Sequence, residues 1–272
     1  MPELPEVETT CRGLSPLLHQ KTIQTIHVYQ PKLRQPVPDN LANLCRNQTI
    51  QAINRRGKYI ILSLKEAAIL IHLGMTGHLR VLPEQQIRQK HDHIDVVFTN
   101  NQVLRYHDPR RFGCWQWVDG PLHQHPSLSH LGIEPLDDGF DGQYLMNACL
   151  HKKQPIKSTI MDCRFVVGVG NIYATESLYL SRIHPLAPAG SLSNIQYEAL
   201  AEKIKEVLNK AIEAGGTTLK DFINPEGKPG YFAQSLFVYG RNHKPCPTCG
   251  DIIKSIKING RSTAFCPTCQ SA

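Results

Sequence analysis

The residues best suited to covalent chemistry stand at the start of the chain. It opens M-P-E-L-P-E-V-E, and the small Pro2 beside Met1 suits removal of the methionine, leaving a secondary amine next to Glu3 and Glu6. A generic α-amine has a pKa of about 7.7–8.0, so roughly a tenth is neutral and nucleophilic at pH 7, far more than for lysine. A carboxylate beside it raises that pKa by attraction, yet it also accepts the amine proton as attack proceeds. A second reading needs no chemistry. Pro5 and the two acids equally suit a first helical turn, where a missing N–H does no harm and negative charge meets the positive end of the dipole.

Four of the nine cysteines form a second chemical unit. Cys246, Cys249, Cys266 and Cys269 read C-P-T-C, sixteen residues, C-P-T-C, the spacing of a four-thiolate Zn2+ site. Such a site is closed, leaves no position open for catalysis, and is structural. A thioredoxin-type redox C-x-x-C would need a βαβ context and only one copy. About 30 residues bury too little apolar surface to fold alone, so metal is expected to order this tail. Between the knuckles Asn259-Gly260 signals a tight hairpin that places Arg261 just past its tip. Cys11, Cys45, Cys114, Cys149 and Cys163 are scattered, mostly among apolar neighbours, and read as small hydrophobes.

Cations and aromatics mark a third set. K-H-D-H at 90–93 and R-Y-H-D-P-R-R-F at 105–112 bring Lys90, His91, Arg105, Arg110 and Arg111 toward one hairpin, with Phe112 directly after the arginines. That pairing can grip a phosphate backbone and wedge between bases. It is also what a salt-bridged corner over a core phenylalanine looks like. V-V-G-V-G-N at 166–171 precedes a helical pattern and offers backbone N–H groups and Asn171 to an anion, although a tight helix–helix turn uses the same glycines. R-R-G-K at 55–58 adds charge, and Gly57 read as part of a strand hints at close backbone approach.

The elements that must position these groups follow from periodicity. Leu4, Val7, Cys11, Leu14, Leu17 and Leu18 recur at helical spacing. From about 22 to 118 short segments such as T-I-Q-T-I-H-V-Y, Y-I-I-L-S-L, A-I-L-I-H-L, I-D-V-V-F and V-L-R-Y follow one another without helices, and Asn100-Asn101 separates the last two as a hairpin would. This texture predicts an antiparallel sandwich. Gly, Pro and Asp at 132–142 read as a linker, after which helices dominate. The clearest runs over 194–214, with Ser193 as N-cap and Gly215-Gly216 as stop. Residues 216–240 are rich in turn formers and aromatics, and a loop of that length is usually functional.

At 272 residues, 41% of them apolar, the chain is long enough for two domains and a small module. The net charge is +7, and residues 241–272 carry five cations against Asp251, leaving +3 for the first 240. A basic tail on a balanced body suits a polyanionic partner, or is plain solvated surface. No apolar stretch is long enough to span a bilayer and the acidic start lacks the basic and apolar regions of a signal peptide, so a cytoplasmic protein is expected.

Taken in register, P-E-L-P-E-V-E, R-R-G-K-Y, H-L-G-M-T-G, K-H-D-H, D-P-R-R-F-G, V-G-V-G-N-I-Y-A, G-G-T-T-L-K-D-F, G-K-P-G-Y-F and the cysteine tail resemble the formamidopyrimidine-DNA glycosylases over the whole chain. These are base-excision enzymes that remove oxidised purines. The resemblance implies an α+β multidomain fold: an N-terminal antiparallel β-sandwich with leading helix (1–133), a helix-two-turn-helix α domain with a lesion-recognition loop (134–237), and a C-terminal zinc-finger β-hairpin (238–272).

The same resemblance implies roles, position by position. Pro2 becomes the nucleophile, Glu3 its acid–base partner, Lys58 a proton donor in strand cleavage and Arg261 an assistant in the second elimination. Glu6 supports catalysis or only the first helical turn. Met75, Arg110 and Phe112 fill the gap left by a flipped nucleotide, and His91, Arg110, Lys152, Asn171 and Arg261 contact DNA. Lys157 competes with Lys152 within H-K-K-Q-P-I-K. The implied cofactor is one structural Zn2+, and the implied partner is lesion-bearing or abasic duplex DNA bound by a monomer. Two rivals stand beside this reading. An endonuclease VIII-type enzyme for oxidised pyrimidines tends to begin P-E-G-P-E, against Leu4 here, and a non-catalytic DNA-binding relative would not need Pro2, Glu3 and Lys58.

Overall fold

The computed structural model describes residues 2–216 and 235–271. The chain divides into two compact units, Met1–Ser129 with Ala214–Tyr231, and His130–Glu213 with Phe232–Ala272.

The first unit opens with helix α1 (Leu4–Leu18), whose stripe of Leu4, Val7, Cys11, Leu14 and Leu18 is fully or nearly fully buried. Strands β1 (Ile23–Val28), β2 (Ala52–Arg56), β3 (Tyr59–Ser63), β4 (Ala67–His72), β5 (His78–Pro83), β6 (Asp92–Phe98), β7 (Gln102–His107) and β8 (Cys114–Asp119) follow, with a short helix α2 (Leu41–Cys45) after β1. They form two antiparallel four-stranded sheets, ordered β1-β6-β7-β5 and β2-β3-β4-β8. One apolar cluster, including Val7, Leu14, Ile26, Ile60, Ile69, Val96, Leu104 and Trp115, joins the helix to both sheets. The expected sandwich with a leading helix is what the chain builds. Strands β2, β5 and β8 were absent from the segments read off the sequence, and all three are sheet edges. Edge strands are half solvated and carry polar residues, which blurs their alternation.

Strand β6 is buried along its whole length although it reads D-H-I-D-V-V-F. Its acids are paired across the sheet. Arg105 on β7 donates from Nε and Nη2 to the two carboxylate oxygens of Asp95, each at 2.8 Å, and His107 Nδ1 lies 2.8 Å from Asp92 Oδ1. Burial pushes the Asp92 carboxyl up, but the Gln89 N–H, His107 and Arg105 outweigh it and hold the group below its ordinary value. Arg105 is therefore an internal ion-pair residue, and the surface reading of that cation is corrected. Gly57 is corrected too. It sits outside the strands, in the two-residue β2–β3 turn with φ +56°, and places Lys58 at the turn tip.

The second unit contains α3 (Gly142–Cys149), α4 (Ile156–Ile160), α5 (Asn171–Leu180) and α6 (Asn194–Glu213), then the hairpin β9 (Lys254–Ile258) and β10 (Arg261–Phe265). Helix α6 packs against α3 and α5. Its start is closed by Ser193 Oγ, which accepts the Gln196 N–H, while Gln196 Oε1 accepts the Ser193 N–H. The hairpin turns on Asn259 and Gly260, both at positive φ as a type I′ turn requires.

Metal is not alone in ordering the tail. The buried Glu176 carboxylate on α5 accepts the N–H groups of Phe237, Val238 and Tyr239 at 2.8–3.0 Å, and Tyr179 packs with Val238, Cys246, Ile253, Ala264 and Cys266. The cysteine module thus docks on a helix that sequence spacing did not connect with it.

Candidate active site and nucleic-acid surface

The chain starts its first unit with a reciprocal cap. Glu3 is the N-cap of α1, and its backbone N–H donates to Glu6 Oε2 at 2.7 Å while its own side chain accepts the Glu6 N–H. Pro2, Glu3 and Glu6 are all buried. Pro2 therefore sits one residue before a fixed helix end, with two carboxylates in the first turn. Gly216, at φ +88°, lies against Glu6: a side chain there would meet Glu6 Cγ and Oε1 at 3.4 Å. Met1 lies outside the described residues.

One turn further along, Glu8 ties α1 to the turn that carries Lys58. Arg55 Nε donates to Glu8 Oε2 at 2.9 Å, and Arg55 Nη1 donates to the Gly57 carbonyl at 3.1 Å. Burial pushes the Glu8 carboxyl up, but its bonds from Arg55 and Arg12 hold it below the usual carboxylate range. The half-buried Lys58 follows Gly57 directly, and its charge is felt by His72 on the neighbouring strand. Burial, then Lys58 and Arg34, push His72 down to about 4, so its ring is neutral at pH 7. His72 Nδ1 accepts the Gly74 N–H at 2.9 Å, which leaves the proton on Nε2. Sequence reasoning missed His72 and Arg34 as site residues; the signal was the histidine heading H-L-G-M-T-G.

His72 and Arg34 line a pocket of about 390 Å³ together with Gly74, Met75 and Phe112. Met75 and Phe112 are 36% and 43% exposed, unusual for large apolar side chains, and the Arg110 guanidinium lies over the Phe112 ring at 4.7 Å. The structure thus brings Met75, Arg110 and Phe112 to one patch. Their two loops touch: Gly74 is at φ +68° and any Cβ there would run into the Phe112–Gly113 backbone. His91 is half-buried, its ring edge-on to His107 at 5.8 Å and to His93 at 6.3 Å.

In the second unit the loose match at 151–157 separates by burial. Lys157 is 1% exposed and donates to Asn171 Oδ1 at 2.6 Å and Thr263 Oγ1 at 2.7 Å. Lys152 is half-buried, with Nζ over the Phe165 ring at 4.0 Å. Asn171 opens α5 and its amide also donates to the Ser262 carbonyl at 3.1 Å, so it braces β10 against the helix. Arg261 is the exposed first residue of that strand. Residues 217–222 of G-G-T-T-L-K-D-F and all of G-K-P-G-Y-F, with most of the expected lesion-recognition loop, lie outside the described residues.

The four thiols fit a zinc ion. All four sulfurs lie within 4.8 Å of one another, with Cys246–Cys269 at 3.9 Å and Cys249–Cys266 at 3.4 Å. Sulfurs each about 2.3 Å from a tetrahedral ion are about 3.8 Å apart. The Tyr179 hydroxyl, 3.2 Å from Cys246 Sγ, adds a polar partner outside the sulfurs.

Three family models match the chain in order. Residues 1–115 match the model of the formamidopyrimidine-DNA glycosylase N-terminal domain, 131–223 its H2TH domain, and 244–272 the zinc finger found in FPG and IleRS. Formamidopyrimidine-DNA glycosylase of Legionella pneumophila (strain Paris) is 52% identical over 258 residues, covering 95% of this chain and 94% of that protein. Its namesake in Escherichia coli O7:K1 is 53% identical over 257 residues, covering 94% and 95%. The structure of a Lactococcus lactis FPG mutant with Fapy-dG-containing DNA is similar at TM-score 0.93 and 33% identity over the full length of both chains.

Proposed function

Because the chain belongs to the formamidopyrimidine-DNA glycosylase family, we propose that it excises oxidised purines from duplex DNA and then cleaves the strand, with Pro2 as the nucleophile. The observation that carries the assignment of residues is Pro2 held directly before the capped start of α1, beside the Glu3 carboxylate. Glu3 accepts the amine proton as nitrogen attacks the sugar C1′. The C1′–N bond to the base breaks, the base leaves with that electron pair, and ring opening gives an iminium at Pro2.

The iminium withdraws electrons and acidifies the 2′ hydrogens. Loss of one expels the 3′ phosphate by β-elimination, and a further proton loss expels the 5′ phosphate by δ-elimination. Lys58 supplies a proton in strand cleavage, and Arg261 assists the second elimination. The product is a single-base gap.

A base must leave the stack to be reached, and unstacking costs a few kcal/mol. Met75, Arg110 and Phe112 offset part of this by occupying the vacancy, which accounts for their exposure. His91, Arg110, Lys152, Asn171 and Arg261 hold the phosphates, and neutral His72 adds an Nε2–H donor beside Lys58. Cys246, Cys249, Cys266 and Cys269 would hold Zn2+, which would supply a structural clasp for the hairpin carrying Arg261 and no step of the reaction.

Three functional parts go with this assignment: 1–133 for catalysis, 134–237 for DNA and lesion binding, and 238–272 for the zinc hairpin. The enzyme acts as a monomer on chromosomal DNA in the cytoplasm. No helix among the described residues is long and apolar enough to cross a membrane. A panel of duplexes carrying 8-oxoguanine, formamidopyrimidine or thymine glycol tests the substrate class. Faster single-turnover excision of the two purine lesions is expected, and preference for thymine glycol would replace this reading with the oxidised-pyrimidine one.

A further inference from the structure

The loops that present Met75 and Phe112 are joined through one buried carboxylate. Asp108 is fully buried; its Oδ1 accepts the Thr76 hydroxyl at 2.6 Å, and its Oδ2 accepts the Tyr106 hydroxyl at 2.9 Å and the Gly113 N–H at 3.0 Å. Thr76 follows Met75 in the chain, and Gly113 follows Phe112. Thr76 Oγ1 in turn accepts the Arg110 N–H at 3.3 Å. Each of the three exposed side chains is thus at, or one residue from, a hydrogen bond into the Thr76–Asp108 pair.

The backbone around this pair is set by the same residues. The Asp108 carbonyl accepts from His93 Nε2 at 2.8 Å and from the Arg111 N–H at 3.2 Å. Arg111, between Arg110 and Phe112, is at φ +55°, a region costly for a residue with a Cβ. A left-handed residue in an exposed loop keeps its conformation only where its surroundings dictate it. Here the dictating contacts converge on Asp108.

We infer that Asp108, acting through Thr76, is the positioning residue that sets Met75, Arg110 and Phe112 for insertion into the duplex; this rests on the void-filling role proposed above. A carboxylate suits the task because it accepts at both oxygens, and all three side-on partners are donors in this geometry. Asparagine would turn one acceptor into a donor. Gly113 N–H has no way to accept, so the amide nitrogen would face Thr76; the hydroxyl would lose its acceptor, and the amide N–H would compete with the Arg110 N–H for Thr76 Oγ1.

The test compares Thr76→Val, Thr76→Ser, Asp108→Asn and Phe112→Ala in the full-length zinc-loaded protein. Three readouts are taken: single-turnover excision of 8-oxoguanine from duplex DNA, cleavage of a single-stranded abasic oligonucleotide, and fluorescence of 2-aminopurine placed opposite the lesion. Without an opposite strand there is no vacancy to fill, so the second readout isolates the chemistry. The expected result is a roughly 10- to 100-fold loss of duplex excision and a blunted 2-aminopurine change in Thr76→Val and Asp108→Asn. Single-strand cleavage is kept, and Thr76→Ser restores the duplex rate. Thermal unfolding is measured for each variant, and Thr76→Val carries the test if Asp108→Asn fails to fold. Duplex excision at the wild-type rate in Thr76→Val, with Phe112→Ala impaired, overturns the inference and leaves the void-filling role standing. Equal loss on duplex and single strand overturns it in favour of a purely structural role. An unimpaired Phe112→Ala overturns the void-filling reading itself and this inference with it.

Discussion

The backbone N–H of Glu3 donates to a carboxylate oxygen of Glu6 at 2.7 Å, so the second acid of P-E-L-P-E fixes the residue that follows Pro2, the proposed nucleophile. This contact needs an acceptor oxygen and no charge. Glu6→Gln is therefore expected to excise 8-oxoguanine within about threefold of wild type, whereas Glu6→Ala loses the Glu6 half of the reciprocal cap, about 1 kcal/mol of stability and most of the activity. Single-turnover rates and thermal melts measure both. If Glu6→Gln is as impaired as Glu6→Ala, the Glu6 charge enters the chemistry.

Lys157 is an internal brace, which leaves Lys152 as the proposed DNA contact. Replacing Lys152 with Gln is expected to lower the slope of log affinity against log salt by about 1, since one phosphate contact is lost. Lys157→Met leaves Asn171 and Thr263 without their buried donor, at a cost of roughly 2–4 kcal/mol to stability. Duplex titrations at several salt concentrations, with denaturant unfolding alongside, distinguish the two. An unchanged slope for Lys152→Gln would remove it from the DNA surface.

What the sequence disclosed tracks the range of the interactions involved. Helix α1, the Ser193 cap and the Asn259-Gly260 turn are set by neighbours a few residues apart, and the cysteine clasp repeats one short C-P-T-C knuckle, so periodicity or spacing reveals them. Lys157 was ambiguous because its partner Thr263 is 106 residues away. Arg105 read as a surface cation because nothing local shows that Asp95 lies opposite it on the adjacent strand. Asp108 lies inside D-P-R-R-F-G, but its partner Thr76 belongs to another loop 32 residues earlier, so the motif alone does not show the pairing.

Zinc is expected at one ion per chain. Chelation should lower duplex affinity at least tenfold by loosening β9–β10 and Arg261, and added zinc should restore it. Metal analysis and a binding titration on the same sample measure this. Full affinity in metal-free protein would show that the contacts of Glu176 and Tyr179 order the hairpin unaided.

Acid should weaken the first unit through His78. Burial, then the neighbouring His107 and Arg80, push this ring from an ordinary 6.5 down to about 4. With a lowered folded pKa, only the unfolded chain takes the proton between these values. Stability is full above about 6.5, falls as pH drops toward about 4, and flattens below. A loss of roughly 1–3 kcal/mol is expected across that window. Unfolding midpoints at pH 7 and pH 5 should differ less in His78→Gln than in wild type; an equal difference would assign the acid sensitivity elsewhere.

The proposed mechanism rests on a covalent bond from Pro2 to the sugar of the lesion. Borohydride added during reaction of the processed protein with an 8-oxoguanine duplex reduces an iminium to a stable amine, and peptide mass spectrometry locates it. The expected result is an adduct on the N-terminal peptide at Pro2, with Met1 absent. No adduct, or one carried by a lysine, would contradict the mechanism.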